Sequence, residues 1–332
     1  MIAEQSHITD TKTPDRSQES SFGKKIKIST RIKERIIKYF FAVNGAMALV
    51  FIILIFVFLF KEGFKALEHI GFLDFISLDQ VQADGSVKRV YEWYPTSAEA
   101  RYSLVPLILG TLLTAIPATI ISTIFGVAAG IYLSEVVNPK LKEFLKPMIE
   151  LFAGIPTVVL GFIMLAIGAS FFNDLLNPVN RLNAFIASLG LSFVIIPIIA
   201  SLTEDALHSI PNDLRMASYG LGATKWQTIR HVILPAAFSG VSASIILGFG
   251  RAIGETMIVL MASGNAANVT ANIFESIRTM TATIAAEMGE VSQGSDHYYA
   301  LFFIGIVLFT ITFFLNLIAE IVISKMRKKN TF

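Results

Sequence analysis

The sequence predicts an all-α membrane protein with six transmembrane helices and both termini in the cytoplasm. Hydrophobic residues make up 54% of its 332 residues, 16% are charged, and the mean hydropathy is +0.64. Soluble domains carry about 25% charged residues. The chain also contains apolar runs of about 20 residues, each long enough to cross a hydrocarbon core of about 30 Å. Lysine and arginine, in addition, accumulate in alternate connecting segments.

The apolar runs follow one another along the chain with little charge inside them. The expected spans are residues 40–60, 104–133, 151–172, 182–202, 235–262 and 299–323. The second is longer than one crossing requires, so Pro106 and Pro117 are expected to bend it or to set off a short lead-in helix. The first is too long for the apolar part of a signal peptide and ends in charged residues, which predicts a retained span.

The positions of the basic residues predict the orientation. Nineteen of the 27 Lys and Arg residues lie in four segments, 1–38, 134–150, 204–234 and 324–332. Seven lie in the three segments that alternate with these, 61–104, 173–183 and 263–298. Because basic residues accumulate on the cytoplasmic side of a membrane, the first group, which includes both termini, is expected inside. An even number of spans agrees with this arrangement.

These assignments divide the chain into three parts. Residues 1–38 are expected to form a disordered, basic cytoplasmic tail because they are polar and poor in aromatic residues. Residues 39–325 form the transmembrane domain, and residues 326–332 form a basic cytoplasmic end. The outside loop 61–104 contains Asp84 and Gly85 between two partly apolar segments, which indicates a small β-hairpin. An irregular loop is the alternative.

Arg251 lies inside the fifth expected span, where an arginine costs about 2.5–3.5 kcal/mol. Glu255 follows four residues later, so on a continuous helix the two side chains share one face. A self-neutralising structural pair is the simplest interpretation. However, Gly250 and Gly254 form a small-residue face that allows another helix to approach closely, and a guanidinium suits the oxygens of a tetrahedral anion. The hydroxyl of Thr256 is a further candidate contact along a substrate pathway.

The cytoplasmic loop 204–234 has the features of a docking element. Pro211, Asn212 and Asp213 are typical of a helix start. Ala217, Ser218 and Gly222 keep the following surface small enough to lie in a groove of another protein. After Gly222 and nine intervening residues the chain reads Val232-Ile233-Leu234-Pro235, and Pro235 separates the loop from the next span. A simple loop with one amphipathic turn is the alternative.

This spacing resembles the docking loop of ABC-type importer permeases, which reads E-A-A, three residues, Gly, nine residues and I-x-L-P. Met216 stands in place of the Glu and Ser218 in place of the second Ala, so packing rather than an ionic contact is expected to couple the loop to an ATPase. The stretch from Arg251 to Thr256, R-A-I-G-E-T, resembles the phosphate-specific branch of the family. The stretches TMTATIAAEMGEV and HYYALF, at 279–291 and 297–302, resemble its PstC-type subunit. The resemblance covers about residues 36–325.

The resemblance implies a MetI-like ABC importer permease architecture in the cell membrane. It implies phosphate as the substrate and Arg251 and Glu255 as residues required for its passage. The implied partners are a PstA-type second permease, a dimer of ATP-binding subunits, an extracytoplasmic phosphate-binding protein and the lipid bilayer. The chain itself is not expected to be an enzyme, because ATP hydrolysis belongs to the ATPase subunits.

Two alternative functions remain. The first is a permease for another oxyanion such as sulfate or molybdate, although those permeases usually read G-E-F-G where this chain has Gly254-Glu255-Thr256-Met257. The second is a proton-coupled secondary transporter that uses Glu255 as its proton site. A docking loop would serve no purpose in such a carrier, and Arg251 and Glu255 are almost the only ionisable residues inside the spans.

Several kinds of site are not expected. The sequence contains no cysteine, which excludes disulfides, thiolate nucleophiles and cysteine-based metal sites. The five histidines do not have the spacing of metal ligands. Residues 220–225 lack the spacing of a phosphate-binding loop, so the chain is not expected to bind ATP. No cofactor and no nucleic-acid partner is predicted.

Overall fold

The structure is a computed structural model that describes residues 16–81 and 87–329. The chain divides into two units, residues 1–58 and residues 59–332. In the first unit, residues 16–58 belong to helix α1, which spans Arg16–His69, and apolar side chains such as Ile52 are exposed. The sequence predicts a disordered tail over 1–38, and residues 16–38 of it are assigned to α1. The remainder of that tail, residues 1–15, lies outside the described residues.

The second unit contains the rest of α1 and the other elements. A 3₁₀ turn at Leu73–Phe75 follows α1. Among the described residues that follow are four short strands, β1 (Leu78–Val81), β2 (Val87–Val90), β3 (Trp93–Tyr94) and β4 (Arg101–Tyr102). The helices are α2 (Val105–Ile131), α3 (Pro139–Ala153), α4 (Thr157–Ile163), α5 (Ala169–Leu176), α6 (Ala184–His208), α7 (Asn212–Gly220), α8 (Lys225–Thr228), α9 (Leu234–Ala236), α10 (Phe238–Gly254), α11 (Met257–Ala262), α12 (Met280–Glu287) and α13 (Asp296–Lys329). Three π-helical turns, at Tyr132–Val136, Met164–Gly168 and Ile229–Ile233, follow α2, α4 and α8.

Five helical segments of the described chain are long and apolar enough to cross a membrane. They are Lys33–His69, Val105–Val136, Thr157–Leu176, Ala184–His208 and Asp296–Ile321. A sixth candidate is the pair Lys225–Ala236 and Phe238–Gly254, whose axes meet at 71°. The expectation of six apolar crossings therefore agrees with the helices found. The fifth expected span, 235–262, is the exception in form, because it is divided into α9, α10 and α11.

The third expected span, 151–172, is displaced. Helix α3 ends at Ala153, so residues 151 and 152 belong to α3, and the membrane segment begins at Thr157 and continues to Leu176. The break falls at Gly154-Ile155-Pro156. Proline disfavours helical backbone at the residue before it, while Pro156 itself adopts the extended conformation that caps α4. Local backbone chemistry thus overrides the continuous apolar pattern.

The loop 61–104, which is expected on the outside, contains helix, turn and strand in its described residues. Strands β1 and β2 pair in antiparallel fashion from Leu78 with Val90 to Val81 with Val87, as the hairpin interpretation predicts. The expected turn residues, Asp84 and Gly85, lie outside the described residues. Strands β3 and β4 form a second pair, and Trp93 is fully buried in a cluster with Phe75, Tyr102 and Phe303.

The core of the second unit is formed by α2, α6 and α10. Ala115, Ala118, Leu191, Ile195 and Ile253 are buried together between these helices. Buried hydroxyls also join α2 to α6. The hydroxyl of Ser188 donates to the Thr114 carbonyl at 3.1 Å and that of Ser122 to the Ser192 carbonyl at 3.2 Å. These contacts satisfy polar groups inside an apolar core and fix the helices against which α10 and its charged residues lie.

Near the C-terminal end of α6, ion pairs hold the connecting helix α3. Glu204 is buried and lies 2.5 Å from the Nζ atoms of both Lys142 and Lys146. Lys146 also contacts Asp205 at 2.8 Å. The two lysines belong to α3 and the two carboxylates to α6. These ion pairs therefore join two helices that are separated in the chain by a complete membrane segment.

Candidate functional site

The central feature of the fifth membrane segment is a break at Glu255. Helix α10 ends at Gly254, Glu255 has extended backbone angles (φ −70°, ψ 134°), and α11 begins at Met257. The expectation that Arg251 and Glu255 share one face of a continuous helix is therefore wrong. Glycine lowers helix stability, and Gly254 directly precedes the break. Interactions made by Glu255 and by residues distant in sequence stabilise it.

The broken helix gives each charged residue its own favourable environment. Arg251 lies in the last turn of α10, where the helix dipole favours a positive charge. Glu255 lies at the start of α11, where its Oε1 accepts a hydrogen bond from the Met257 backbone N–H at 3.2 Å. The shortest distance between the two charged groups joins Nη2 of Arg251 and Oε2 of Glu255 and is 3.8 Å. At that distance they attract each other without a hydrogen bond.

The two charges differ in accessibility. The Glu255 side chain is 5% exposed, whereas the Arg251 side chain is 44% exposed. Because the guanidinium carries five donor hydrogens in a fixed planar arrangement, a partner at 3.8 Å leaves it able to bind another acceptor. The pair therefore has a buried negative end and an accessible positive end, which suits the reception of an anion.

Threonines at the start of α12 support the break. The Thr281 hydroxyl donates to the backbone carbonyl of Glu255 at 2.8 Å and lies 3.3 Å from the hydroxyl of Thr279. A carbonyl freed by a broken helix inside a membrane needs such a donor. The sequence analysis identified the stretch 279–291 only as a family resemblance and assigned no role to Thr281. Its contact with Glu255 joins residues 26 positions apart, which no local spacing rule predicts.

The remaining candidates of the pathway lie near the break but make weaker contacts. The Thr256 hydroxyl is 3.4 Å from the Gly254 carbonyl, so its hydrogen bond is local. A Cβ atom at Gly250 would lie 3.7 Å from Oδ1 of Asn316 on α13, an ordinary contact distance. A Cβ atom at Gly254 would have no described atom within 4 Å. The surface beside Gly254 is therefore open in this chain.

The docking loop forms a compact helical structure. After α7, Gly222 adopts a φ of +83°, a conformation that glycine tolerates and other residues rarely adopt. Helix α8 then begins with a capping box, in which the Thr224 hydroxyl accepts from Gln227 N and the Gln227 side chain accepts from Thr224 N. The Ser218 hydroxyl lies 2.9 Å from that of Thr228. Gly222 thus has a conformational role at the centre of the loop.

Arg215 fixes the loop to the membrane helices. Its Nη2 lies 2.6 Å from Oε1 of Glu135 and 2.9 Å from the Leu207 carbonyl, while Nη1 donates to the Ile210 carbonyl at 2.7 Å. The hydrogen bond to Glu135 raises the pKa of the Arg215 guanidinium above its usual value. The residue gave no signal in the sequence, because its partners are reached only in the folded chain.

The outer surface of the docking loop is apolar and accessible. The side chain of Leu221 is 90% exposed, and Met216 and Trp226 are also exposed. An adjoining groove of about 430 Å³ is lined by Leu214, Ala217, Ser218, Leu221, Ala223, Gln227, His231 and Val232. Ala217 and Ser218 are among its lining residues, and their part in docking stays a prediction. Leu234 packs instead against the interior cluster of Leu207 and Ile233, and Pro235 begins the path into the fifth segment.

Comparison with known proteins places these features in a family. The model of the "Binding-protein-dependent transport system inner membrane component" family matches residues 123–328. A probable ABC transporter permease protein, YqgH of Bacillus subtilis, is 35% identical over 70% of this chain and 75% of its own length. The phosphate transport system permease protein PstC of Haemophilus influenzae is 32% identical over 73% of this chain and 84% of its own length.

Solved structures share the fold at low sequence identity. A chain of the MetNI methionine ABC transporter is 19% identical, with a TM-score of 0.55 over 67% of this chain and 95% of that chain. A chain of a bacterial ABC transporter involved in alginate import is 15% identical, with a TM-score of 0.55 over 89% of this chain and 98% of that chain. The MetI-like permease architecture predicted from the sequence is thereby confirmed. The chain belongs to the binding-protein-dependent transport system inner membrane component family and is a multi-pass membrane permease subunit of an ABC importer.

Proposed function

We propose that this permease conducts inorganic phosphate, with Arg251 as the anion ligand and Glu255 as the group that holds or gates the arginine. The observation that carries the proposal is the asymmetry of the pair, in which the guanidinium is accessible and the carboxylate is buried. A planar guanidinium can bind two oxygens of a tetrahedral anion at once. The similarity to proteins named phosphate transport system permease PstC supports phosphate as that anion.

Glu255 has a second task in this proposal. Without a counter-charge, Arg251 would hold a phosphate dianion strongly and release it slowly. Glu255 lies close enough to compete for the guanidinium, at 3.8 Å, and too far to occupy its donors. A small movement at the break can therefore exchange the anion for the carboxylate. Thr256, one residue beyond Glu255, is the proposed accessory hydroxyl on this path.

The open surface beside Gly254 is proposed to contact a second permease subunit of the PstA type. The small residues Gly250 and Gly254 allow a close approach of two helices. Arg251 on the same turn then faces a pathway enclosed by two chains. An extracytoplasmic phosphate-binding protein supplies the anion to the outer end of this pathway, and the distribution of basic residues directs both termini of this chain to the cytoplasm.

The docking loop is proposed to couple this chain to a dimer of ATP-binding subunits. Its exposed Leu221 and Met216 and the groove beside Ala217 and Ser218 offer an apolar surface. Met216 carries no charge, so the contact depends on packing. Gly222 sets the conformation that presents this surface, and Pro235 separates it from α10. ATP hydrolysis itself takes place on the partner subunits.

Uptake of radiolabelled phosphate by cells that carry the complete importer tests the proposal. Arg251→Lys and Glu255→Gln should each reduce uptake to background while the complex still assembles. Lysine keeps the charge and loses the planar fork. Arg181→Lys is the matched control, because Arg181 is an exposed arginine outside the pathway, bonded to the Ser170 hydroxyl, and it should retain native uptake.

Competition with unlabelled anions separates the alternatives. Phosphate should abolish uptake of the label, while a similar excess of sulfate or molybdate should not. Inhibition by sulfate or molybdate in place of phosphate would assign the chain to another oxyanion. If uptake into ATP-loaded vesicles ceases when a protonophore collapses the proton gradient, the ATP-driven mechanism is wrong and the carrier with Glu255 as proton site replaces it.

A further inference from the structure

A second charged cluster lies at the far end of α12, in a pocket bounded by the outside loop. Its centre is Glu287, the last residue of that helix, whose side chain is 16% exposed. The Glu287 carboxylate accepts from Nε1 of Trp93 at 3.1 Å, lies 2.8 Å from Nε2 of His297 and pairs with Nη2 of Arg278 at 2.7 Å. The adjoining pocket has a volume of about 470 Å³. One carboxylate therefore joins three separate parts of the chain.

These three parts are the strands of the outside loop, the start of α13 and the segment before α12. Trp93 belongs to β3 and is fully buried, while His297 is the second residue of α13. Arg278 precedes the residue that caps α12. Because a largely buried carboxylate with three partners is costly to leave unpaired, its position depends on all three parts. A displacement of the outside loop would change the position of Glu287 and hence that of α12.

The opposite end of α12 holds the pathway break. Thr281 bonds the Glu255 carbonyl at 2.8 Å, and the Met280 backbone N–H donates to the Thr111 hydroxyl of α2 at 3.1 Å. Gly110 allows this close approach, since a Cβ atom there would collide with the carbonyl oxygen of Arg278. Helix α12 is about 12 Å long, at 1.5 Å for each of its eight residues. It is thus a short rigid connection between the outer cluster and Glu255.

We propose that Glu287 is a positioning residue that connects the outer face of the permease to the Arg251–Glu255 pair through α12. Contact of a binding protein with the outside loop acts on Trp93 and the Glu287 cluster. Helix α12 carries the displacement to Thr281, and Thr281 moves the backbone at Glu255. The carboxylate then approaches or leaves Arg251. The role rests on the proposed function, because it takes the Arg251–Glu255 pair as the anion site and phosphate uptake as the readout.

The experiment combines uptake with a probe on α12. Glu287→Ala should reduce the maximal rate of phosphate uptake by about tenfold, the equivalent of about 1.4 kcal/mol. ATP hydrolysis without the binding protein should remain native, and its stimulation by the loaded binding protein should be lost. A spin label on an introduced cysteine at the exposed Ala285 reports on α12 directly. This chain has no native cysteine to compete for the label. The label should become more mobile in the variant.

Glu290→Gln is the matched control, because Glu290 lines the same pocket with an exposed side chain. It should keep native uptake and native label mobility. Glu287→Gln, which keeps an acceptor for Trp93 but loses the charge opposite Arg278, should give an intermediate loss, and it decides the matter if Glu287→Ala does not assemble. Uptake within twofold of native in the variant that assembles would overturn the proposal. Loss of uptake with unchanged label mobility would also overturn it, because Glu287 would then act without α12. Failure of the native complex to import phosphate would instead contradict the proposed substrate.

Discussion

Two buried carboxylates of this chain, Glu204 and Glu255, are satisfied in very different ways. Glu204 is 1% exposed and has two lysine ammonium groups at 2.5 Å. Glu255 is almost as buried, yet its cation lies 3.8 Å away and is itself accessible. Burial alone would give the two residues the same role. The completeness of the charge pairing inside the chain distinguishes them.

The difference distinguishes a structural ion pair from the pair to which we assign a function. Glu204 receives its full compensation within the chain and joins α3 to α6, so no external group is required. In the Arg251–Glu255 pair the Arg251 side chain is 44% exposed and 3.8 Å from the carboxylate, so the guanidinium remains accessible to another chain or an anion. Isolated charges in a membrane are expensive. An incompletely satisfied charge there is consequently a stronger indication of function than a buried one.

The largest effect is expected from exchanging the functional pair, by Arg251→Glu with Glu255→Arg. The exchange keeps mutual neutralisation, but it places a negative charge at the end of α10 and an arginine where the Met257 N–H requires an acceptor. Phosphate uptake should fall by about a hundredfold or more, since a misplaced buried charge costs about 3 kcal/mol. Assembly of the complex is measured in parallel. Full recovery of uptake would show that Arg251 is not an anion ligand.

A smaller effect is expected in the docking loop, whose apolar side chains are exposed like the guanidinium of Arg251. Gly222→Ala forces a side chain into a backbone conformation at φ +83°, at a cost of about 1–2 kcal/mol. The importer should insert normally but hydrolyse more ATP for each phosphate transported. Gly220→Ala is the control, because that glycine is helical and has open space for a Cβ atom. Equal coupling in both variants would remove Gly222 from the coupling element.

The structural pair should affect stability rather than transport. Glu204→Gln leaves Lys142 and Lys146 without their shared partner and should destabilise the purified protein by about 2–3 kcal/mol, somewhat less than for a fully buried pair. Uptake per assembled complex should stay close to native. Asp205→Asn, at a more exposed carboxylate with one lysine contact, should change stability by less than about 1 kcal/mol. Lost uptake at native stability in Glu204→Gln would contradict the structural role assigned to Glu204.

The smallest effect is the pH dependence of the structural cluster. Hydrogen bonds to Asp205 and then to Glu204 raise the pKa of Lys146 above its ordinary 10.5. A raised pKa in the folded state means that the stabilisation is complete below 10.5 and is lost as the pH rises beyond it. The difference in melting temperature between native protein and Lys146→Met should therefore be constant from about pH 7 to 9 and shrink only in more alkaline solution. A change near neutral pH would show that another group controls the cluster.

The sequence by itself determined the membrane class, the approximate spans and the candidate residues of the site. Long apolar runs are favourable inside a lipid bilayer. An arginine inside such a run is costly, and this cost indicates a functional or paired residue. The spacing from Gly222 to Pro235 and the R-A-I-G-E-T stretch were sufficient to identify the family. These properties are local, because each depends on residues that are neighbours in the chain.

Only the tertiary structure decided how the charges are arranged. The rule that residues four apart share a face assumes a continuous helix, and the break at Glu255 removes that assumption. Its support comes from Thr281, which is 26 residues away. Glu204 meets lysines from α3, and Glu287 meets Trp93 across 194 residues. Free energies of such pairs depend on distance and burial, which the folded chain sets and no local pattern contains.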